Sequence, residues 1–491
     1  MANPGDWEDE ADAVVVGSGA GGATVSVALS EQGWETAVIE EGGWHTRAGF
    51  TEDLHGAMGT LFRDFGAQAA WGRSLIPVLE GRCVGGSTVL NGAIVHRLPP
   101  EVHAAWCEDR ALGAALPYAS LERHAGRIEQ ELSVRANLEE ALPALPVSGI
   151  LDRSGWRYRA MARNAPGCRG SGRCLQGCPT GGKLSMEASF LPRALRAGAR
   201  ILDRRRAERV LFEGTRAVGV LLRDAEGRAR RVRARRAVVV CAGAVQTPLL
   251  LSRSGLKSPH LGRHFQCHLG VGVAGLLDRP AASVLGPPQG IEILQTPGER
   301  FRLATQLLPL ELLLARAGVV GTRLSELLRR AGQVSSWTAS VRSGAEGRVV
   351  PGFFGRASIR YTPAPADLEA IREGVHALAR LLFDLGASRV FPGVAGMPDE
   401  LTAASQAGAL RSAPLDPRAY SIVVGHIFGT CRMAGEPARG VVGPDFRVHG
   451  TERLYVADAS VFPTNLGVNP QHAIMTLARH AAEGLMERGA E

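Results

Sequence analysis

The stretch DAVVVGSGAGGATVSVALSEQGWETAVIEEGG, Asp12 to Gly43, decides the fold class. Residues 12–17 open with a β-branched apolar run, as a strand buried on both faces requires. Gly17, Gly19 and Gly22 then form G-x-G-x-x-G. The residues after them carry a helical apolar spacing that stops at Gly33, a helix-ending glycine. A second strand ends at Glu40. Strand, glycine turn, helix and strand within about 30 residues is the dinucleotide-binding layout of an α/β protein. The first glycine permits the tight turn. The second lets a pyrophosphate approach the backbone, and the third lets helix and strand pack closely. The helix N-terminus offers free N–H groups and the positive end of its dipole to the phosphates. Glu40, 18 residues past Gly22, stands where a ribose-binding carboxylate belongs.

Around this unit lie 491 residues, 45% apolar and 21% charged, a globular composition that excludes a disordered chain. The formal charge of +8 is almost all arginine, since the only lysines are Lys183 and Lys257. The densest basic run, Glu226–Arg236, alternates Arg with Ala, Val and Gly. It reads as the solvated face of a strand, so no nucleic-acid partner is expected. The acidic start lacks a basic signal region, and no apolar run reaches the roughly 18 residues of a membrane span. Eight cysteines are too sparse for a disulfide scaffold, and the expected location is cytoplasmic.

A bare dinucleotide unit does not separate NAD from FAD. Further segments narrow the choice: GRCVGGSTVLNGAIVHRLP (Gly81–Pro99), GAVQTPLLLSRSGL (Gly243–Leu256), HIFGTCRM (His426–Met433) and VADASVFPTNLGVNPQHAIMTLA (Val456–Ala478). In this order they resemble the glucose–methanol–choline (GMC) family of FAD-dependent oxidoreductases. The likeness covers about half of the chain. HGAMGTLFRDFG (His55–Gly66) and a later cysteine loop lean toward the bacterial and long-chain-alcohol branch.

The resemblance implies an α/β fold with a Rossmann-type FAD-binding domain and a second substrate domain built on an antiparallel sheet. The FAD-binding domain would be discontinuous, from 1–110, 185–265 and 420–491, with 111–184 and 266–419 forming the substrate domain. Gly17, Gly19, Gly22 and Glu40 would hold the ADP half of FAD, and Val210 would offer its backbone to the adenine. Gly85, Gly86, Ser87, Asn91 and Gly92 would line the pyrophosphate and flavin, and Asp458 would meet the ribityl–pyrophosphate region. Leu90 stands where some members carry a histidine linked to FAD, so non-covalent FAD is expected. His426 matches the histidine of the family's H-x-x-G-T motif, and Asn469 the second member of its catalytic pair.

Chemistry supports the pair independently. Alcohol oxidation needs a proton taken from O–H while a hydride leaves carbon for flavin N5. Histidine, with an ordinary pKa of about 6.5, is the natural acceptor near neutrality. An asparagine amide can hold the same oxygen as negative charge develops. Asn469 also precedes the last helix, where it would serve as an N-cap. His264, His268 and His449 are read as structural, and His472 as at most a pocket residue. The expected function is oxidation of an alcohol to a carbonyl, with oxygen or another acceptor reoxidising the flavin. Desaturation, isomerisation or other oxidation of a specialised metabolite uses the same site, and a non-catalytic flavin-binding protein is the reading of another class. The apolar run LLPLELLLARAGVV (Leu307–Val320) suggests a lipophilic or bulky alcohol. Cys168, Ser171, Cys174 and Cys178 have ferredoxin-like spacing with serine in the second slot. Zinc or a disulfide fits the three thiols too, and no metal is expected.

Overall fold

The computed structural model describes residues 7–136, 147–281, 290–294, 300–306 and 309–489. The helical readings over 116–150 and 307–330 run into 137–146 and 307–308, which lie outside the described residues. Within those ranges stand the helices Tyr118–Glu131, Val147–Arg153, Leu310–Ala317 and Gly321–Arg329.

The first sheet has seven strands. Its core is parallel: Asp9–Val16 lies between Thr36–Ile39 and Ala229–Val240, with Val15 level with Val38 and Val239. These are the β-branched runs of the sequence, and Ala13–Val16, Ala37–Ile39 and Ala237–Val240 are buried. The strand Ala229–Val240 serves two further partners. Its basic half pairs antiparallel with Arg216–Arg223, and Val238–Val240 pair in parallel with Leu454–Val456. The basic run is matched locally: Arg230 pairs with Glu8, and Arg235 reaches Glu10, Asp12 and Glu35. The acidic N-terminal segment thus pairs with Arg230, Arg235 and Arg236 of the basic run. The helix Ala20–Ser30 packs between this sheet and the C-terminal helix Gln471–Gly489.

Among the described residues the second sheet has eleven strands, mostly antiparallel, built on the fifteen-residue strand Arg263–Leu277. Beside it run Val334–Arg342, then Phe301–Thr305, Ile291–Ile293 and Tyr158–Ala160. Alternate residues of these strands, among them Val271, Val273, Trp337, Ala339 and Phe301, are buried in one cluster with Leu368, Ile371, Val375 and Leu378 of the helix Pro365–Asp384. Gly374 is required there, because a Cβ would lie 2.8 Å from that of Ala339.

The division into domains differs from the expected one at two places. Ala69–Trp71 with Leu75–Pro77, and Ile427–Phe428, fall in segments expected to bind FAD, yet they pair into the second sheet. The second of these crossings brings the two halves of the site together. Ile427 and Phe428 pair with Cys267 and Gln266, which places His426 beside His268. Among the described residues no helix is long and apolar enough to cross a membrane.

Candidate active site

Two glycine segments face each other at the carboxyl ends of the parallel strands. Gly17 turns with φ +98°, and a Cβ there would meet the Cys241 carbonyl at 2.4 Å. On Gly22 it would meet the Gly17 carbonyl at 1.8 Å. Gly19 differs: a Cβ there would stand in open space. Gly85 and Gly86 both have positive φ, and a Gly86 Cβ would come within 3.0 Å of Gly19 Cα. The Gly85 N–H donates to Ser18 Oγ at 3.0 Å, tying the segments together. An open glycine surface at a helix N-terminus fits the pyrophosphate of a dinucleotide.

Glu40 is buried, and burial pushes its carboxyl up while three donors pull it back. Those donors are the Ser18 N–H at 3.0 Å, Ser18 Oγ at 2.7 Å and the Gly42 N–H at 2.8 Å. Ser18 therefore joins Glu40 to Gly85, a link the motif alone does not disclose. Ser87 Oγ accepts from the Gly81 N–H at 2.9 Å. Asn91 donates to Gln471 on the last helix, and its Oδ1 accepts from the Ala93 N–H. The Gly92 carbonyl accepts from Arg163 Nε at 3.3 Å.

Two residues read as cofactor contacts carry prior engagements. Val210 lies in the edge strand Arg206–Glu213, and its N–H donates to Ser254 Oγ at 2.8 Å. The Asp458 carboxylate accepts from the N–H groups of Gly243 and Ser460, both at 2.8 Å, and from Thr247 Oγ1. It braces the start of the helix Gly243–Arg253 against the loop before the last helix.

The cysteine loop has an anchor that sequence reasoning missed. Lys183 is buried, and its Nζ donates to the carbonyls of Val89 (2.6 Å), Asn91 (3.1 Å) and Cys174 (3.0 Å). Burial lowers its pKa. It pins the cysteine loop onto the segment around Asn91. Cys178 Sγ accepts from the Lys183 N–H at 3.3 Å, and Cys168, Cys174 and Cys178 are free thiols. One of only two lysines in an arginine-rich chain was the available signal. Lys183→Met leaves three carbonyls without their donor and should destabilise the protein by about 2–4 kcal/mol. A urea midpoint measured without FAD checks this; an unchanged midpoint contradicts the anchoring role.

At the other end of the site, Asn469 Nδ2 lies 3.3 Å from His426 Nε2. Asn469 does not act as the cap the sequence allowed: its amide faces His426 and the Arg302 guanidinium, Oδ1 to Nη2 3.3 Å. His268, read as structural, belongs to this cluster. Its Nδ1 is 3.1 Å from His426 Nδ1, and the rings meet edge to face. The Gly467 N–H donates to His268 Nε2 at 3.0 Å, so a neutral His268 keeps its proton on Nδ1, between the rings. Burial holds His268 well below the ordinary histidine range. Burial first, then the Arg302 charge, pull His426 down to about 4. The pair is therefore less basic than an ordinary histidine. His472 points elsewhere and meets Glu129 at 3.1 Å, while His264 pairs with Glu346.

Comparison with known proteins matches residues 11–270 and 343–478 to the N- and C-terminal models of the GMC oxidoreductases. A GMC-type oxidoreductase of Mycobacterium tuberculosis is 36% identical over 487 residues, which cover 96% of this chain and 75% of that protein. A long-chain-alcohol oxidase of Arabidopsis thaliana is 26% identical, covering 96% of this chain and 67% of that one. Pyridoxine 4-oxidase from Mesorbium loti shares the fold, with a TM-score of 0.71 at 19% identity over 96% of this chain and 98% of that one.

Proposed function

The chain belongs to the GMC oxidoreductase family and its cofactor is FAD, and on that premise we propose that it oxidises an alcohol to a carbonyl with His426 as the base. One observation carries this reading: His426 Nε2 and the Asn469 amide stand 3.3 Å apart, close enough to share one substrate oxygen. Gly17, Gly19, Gly22 and Glu40 hold the ADP half of the cofactor, with Gly85, Gly86, Ser87, Asn91 and Gly92 along the pyrophosphate and flavin. Val210 and Asp458 remain in the proposed set through their backbones, since the Asp458 carboxylate and the Val210 N–H are engaged. Bound without a covalent link, FAD supplies the hydride acceptor at N5, and oxygen or another acceptor reoxidises it. We retain the two-part division, with the crossings at 69–77 and 427–428 assigned to the substrate side.

His426 takes the O–H proton at Nε2, and Asn469 Nδ2 donates to the oxygen left behind. The base must offer a bare Nε2, so its own proton sits on Nδ1. There it meets the proton that the Gly467–His268 bond places in the same gap. The base-competent tautomer is reached at the expense of that bond. A base works only when deprotonated. With His426 drawn down to about 4, flavin reduction should rise with pH around that value and be level from about pH 6 upward. Anaerobic stopped-flow between pH 4 and 9 checks this; a midpoint near 7 contradicts it.

The kinship with long-chain-alcohol oxidases supports an alcohol as substrate. The apolar run that suggested a lipophilic one is accounted for by packing: Leu313, Leu314 and Ala317 are buried against Leu276 and Phe391. An anaerobic screen of alcohols for flavin bleaching, with carbonyl product identified, tests the reading. Bleaching by no alcohol, or a desaturated or isomerised product, would replace it.

A further inference from the structure

The second sheet has one apolar face, sealed by the helix Pro365–Asp384, and the other face is of a different kind. Register puts Gly270 level with Ser340 and Arg302, and Gly272 level with Thr338 and Ala304. Glu292 is level with Ala304 on the next strand. Along the central strands burial alternates, so that Gly270, Gly272, Thr338, Ser340 and Arg302 are half-buried while their neighbours in sequence are buried; Ala304 and Thr305, at the strand end, are both half-buried. A sheet whose middle strands stay half-open on one face leaves space over that face. Two glycines side by side deepen it. Its far end, at Ala274 and Leu276, is closed by the helix Leu310–Ala317.

This face runs directly into the catalytic pair. His268 stands on the same side of its strand as Gly270 and touches His426, and Arg302 touches Asn469. Arg302 is held loosely for a charged side chain. Nη2 lies 3.3 Å from Glu292 Oε2 and 3.3 Å from Asn469 Oδ1, and Nη1 lies 3.4 Å from the Gly467 carbonyl. Its Nε is enclosed and has no partner among the described residues. Glu292 cannot satisfy it further, being shared with His96 and Arg159. An enclosed donor left without an acceptor costs about 1–3 kcal/mol, so such a group is expected to meet an oxygen in the working enzyme.

Resting on the alcohol-oxidising reading above, we propose that this face is the floor of the substrate chamber and that Arg302 Nε donates to a second oxygen of the substrate. The substrate is then a hydrophilic alcohol whose further hydroxyl or carboxylate lies a few carbons from the reacting one. Ser340 adds a hydroxyl along the same floor, whereas the Thr338 hydroxyl donates to Gln306. A hydrocarbon chain laid there would leave Arg302 Nε dry and unpaired.

Binding is measured apart from turnover by titrating the FAD-loaded His426→Ala variant calorimetrically with four probes: D-sorbitol, D-gluconate, 1-hexanol and benzyl alcohol. Sorbitol or gluconate should bind at least tenfold tighter than either monohydric alcohol, and which of the two wins separates a hydroxyl from a carboxylate. Adding Arg302→Met should weaken the winner about 10–100-fold, the worth of a hydrogen bond to a charged group, with FAD content unchanged. If that protein does not fold, Ser340→Ala, level with Arg302 on the next strand, takes its place and should weaken the same probe severalfold. Tighter binding of hexanol or benzyl alcohol overturns the proposal, as does loss of FAD from Arg302→Met, which would make the arginine a cofactor contact. Polar binding without flavin reduction by the same probe in the wild type would spare this inference and count against the alcohol-oxidation reading instead.

Discussion

Replacing His426 with alanine should leave FAD bound and slow flavin reduction about 10²–10⁴-fold, the usual worth of a positioned acid–base group. The proposed cofactor contacts lie at Gly17–Gly22, Glu40 and Gly85–Gly92, while His426 is carried by the segment that pairs with Cys267 on the second sheet. Retention of FAD therefore follows from topology. Asn469→Ala should cost less, roughly 3 kcal/mol, the scale of one oxyanion-type donor. The double variant should fall short of the sum, because both residues act on one oxygen. The low-pH limb of the rate should vanish with His426. Anaerobic stopped-flow on the two single variants and the double variant decides. Wild-type flavin reduction by His426→Ala with a saturating good substrate would remove the base assignment.

The second large effect separates two glycines three residues apart. Gly22→Ala drives a Cβ into the Gly17 carbonyl, backbone against backbone at 1.8 Å, where neither the strand nor the helix has room to yield. The expected loss exceeds about 4 kcal/mol, at the exceptional end for one substitution, and soluble yellow protein should not be recovered. Gly19→Ala is the opposite case. Gly19 has φ −68°, a conformation open to any residue, and its Cβ would meet nothing. The apo fold should survive with its thermal midpoint little changed. FAD should bind at least about tenfold more weakly, because the methyl would stand where we propose the pyrophosphate approaches. Equal FAD affinity in Gly19→Ala would show that the phosphates lie elsewhere.

Much of this was written in local sequence. The strand–glycine–helix–strand unit from Asp12 to Glu40 was legible because each part has a local cause: β-branched residues for a strand buried on both faces, glycines where backbone must touch backbone, helical spacing ending at Gly33. The structure places Gly17, Gly22 and Glu40 where those causes put them. The basic run was legible as a strand face for the same reason, since alternation is a property of the chain itself. His426 and Asn469 could be named from the resemblance, but 43 residues of sequence say nothing about distance.

Tertiary structure decided the rest. It brought His426 to Asn469 and, through a two-residue strand that crosses to the other sheet, set His268 against His426. No local pattern marks a histidine whose role comes from a neighbour 158 residues away. Burial then moved His426 from an ordinary histidine to a weaker base, a shift that depends on what surrounds the ring and not on the ring's own residues. The same holds for Lys183, whose three carbonyl partners come from two separate segments. It holds for the run at Leu307–Val320 as well. Apolar spacing could show that its leucines must be buried, and only packing could show that Leu313 and Leu314 close one end of a sheet whose half-open face carries Arg302, Thr338 and Ser340.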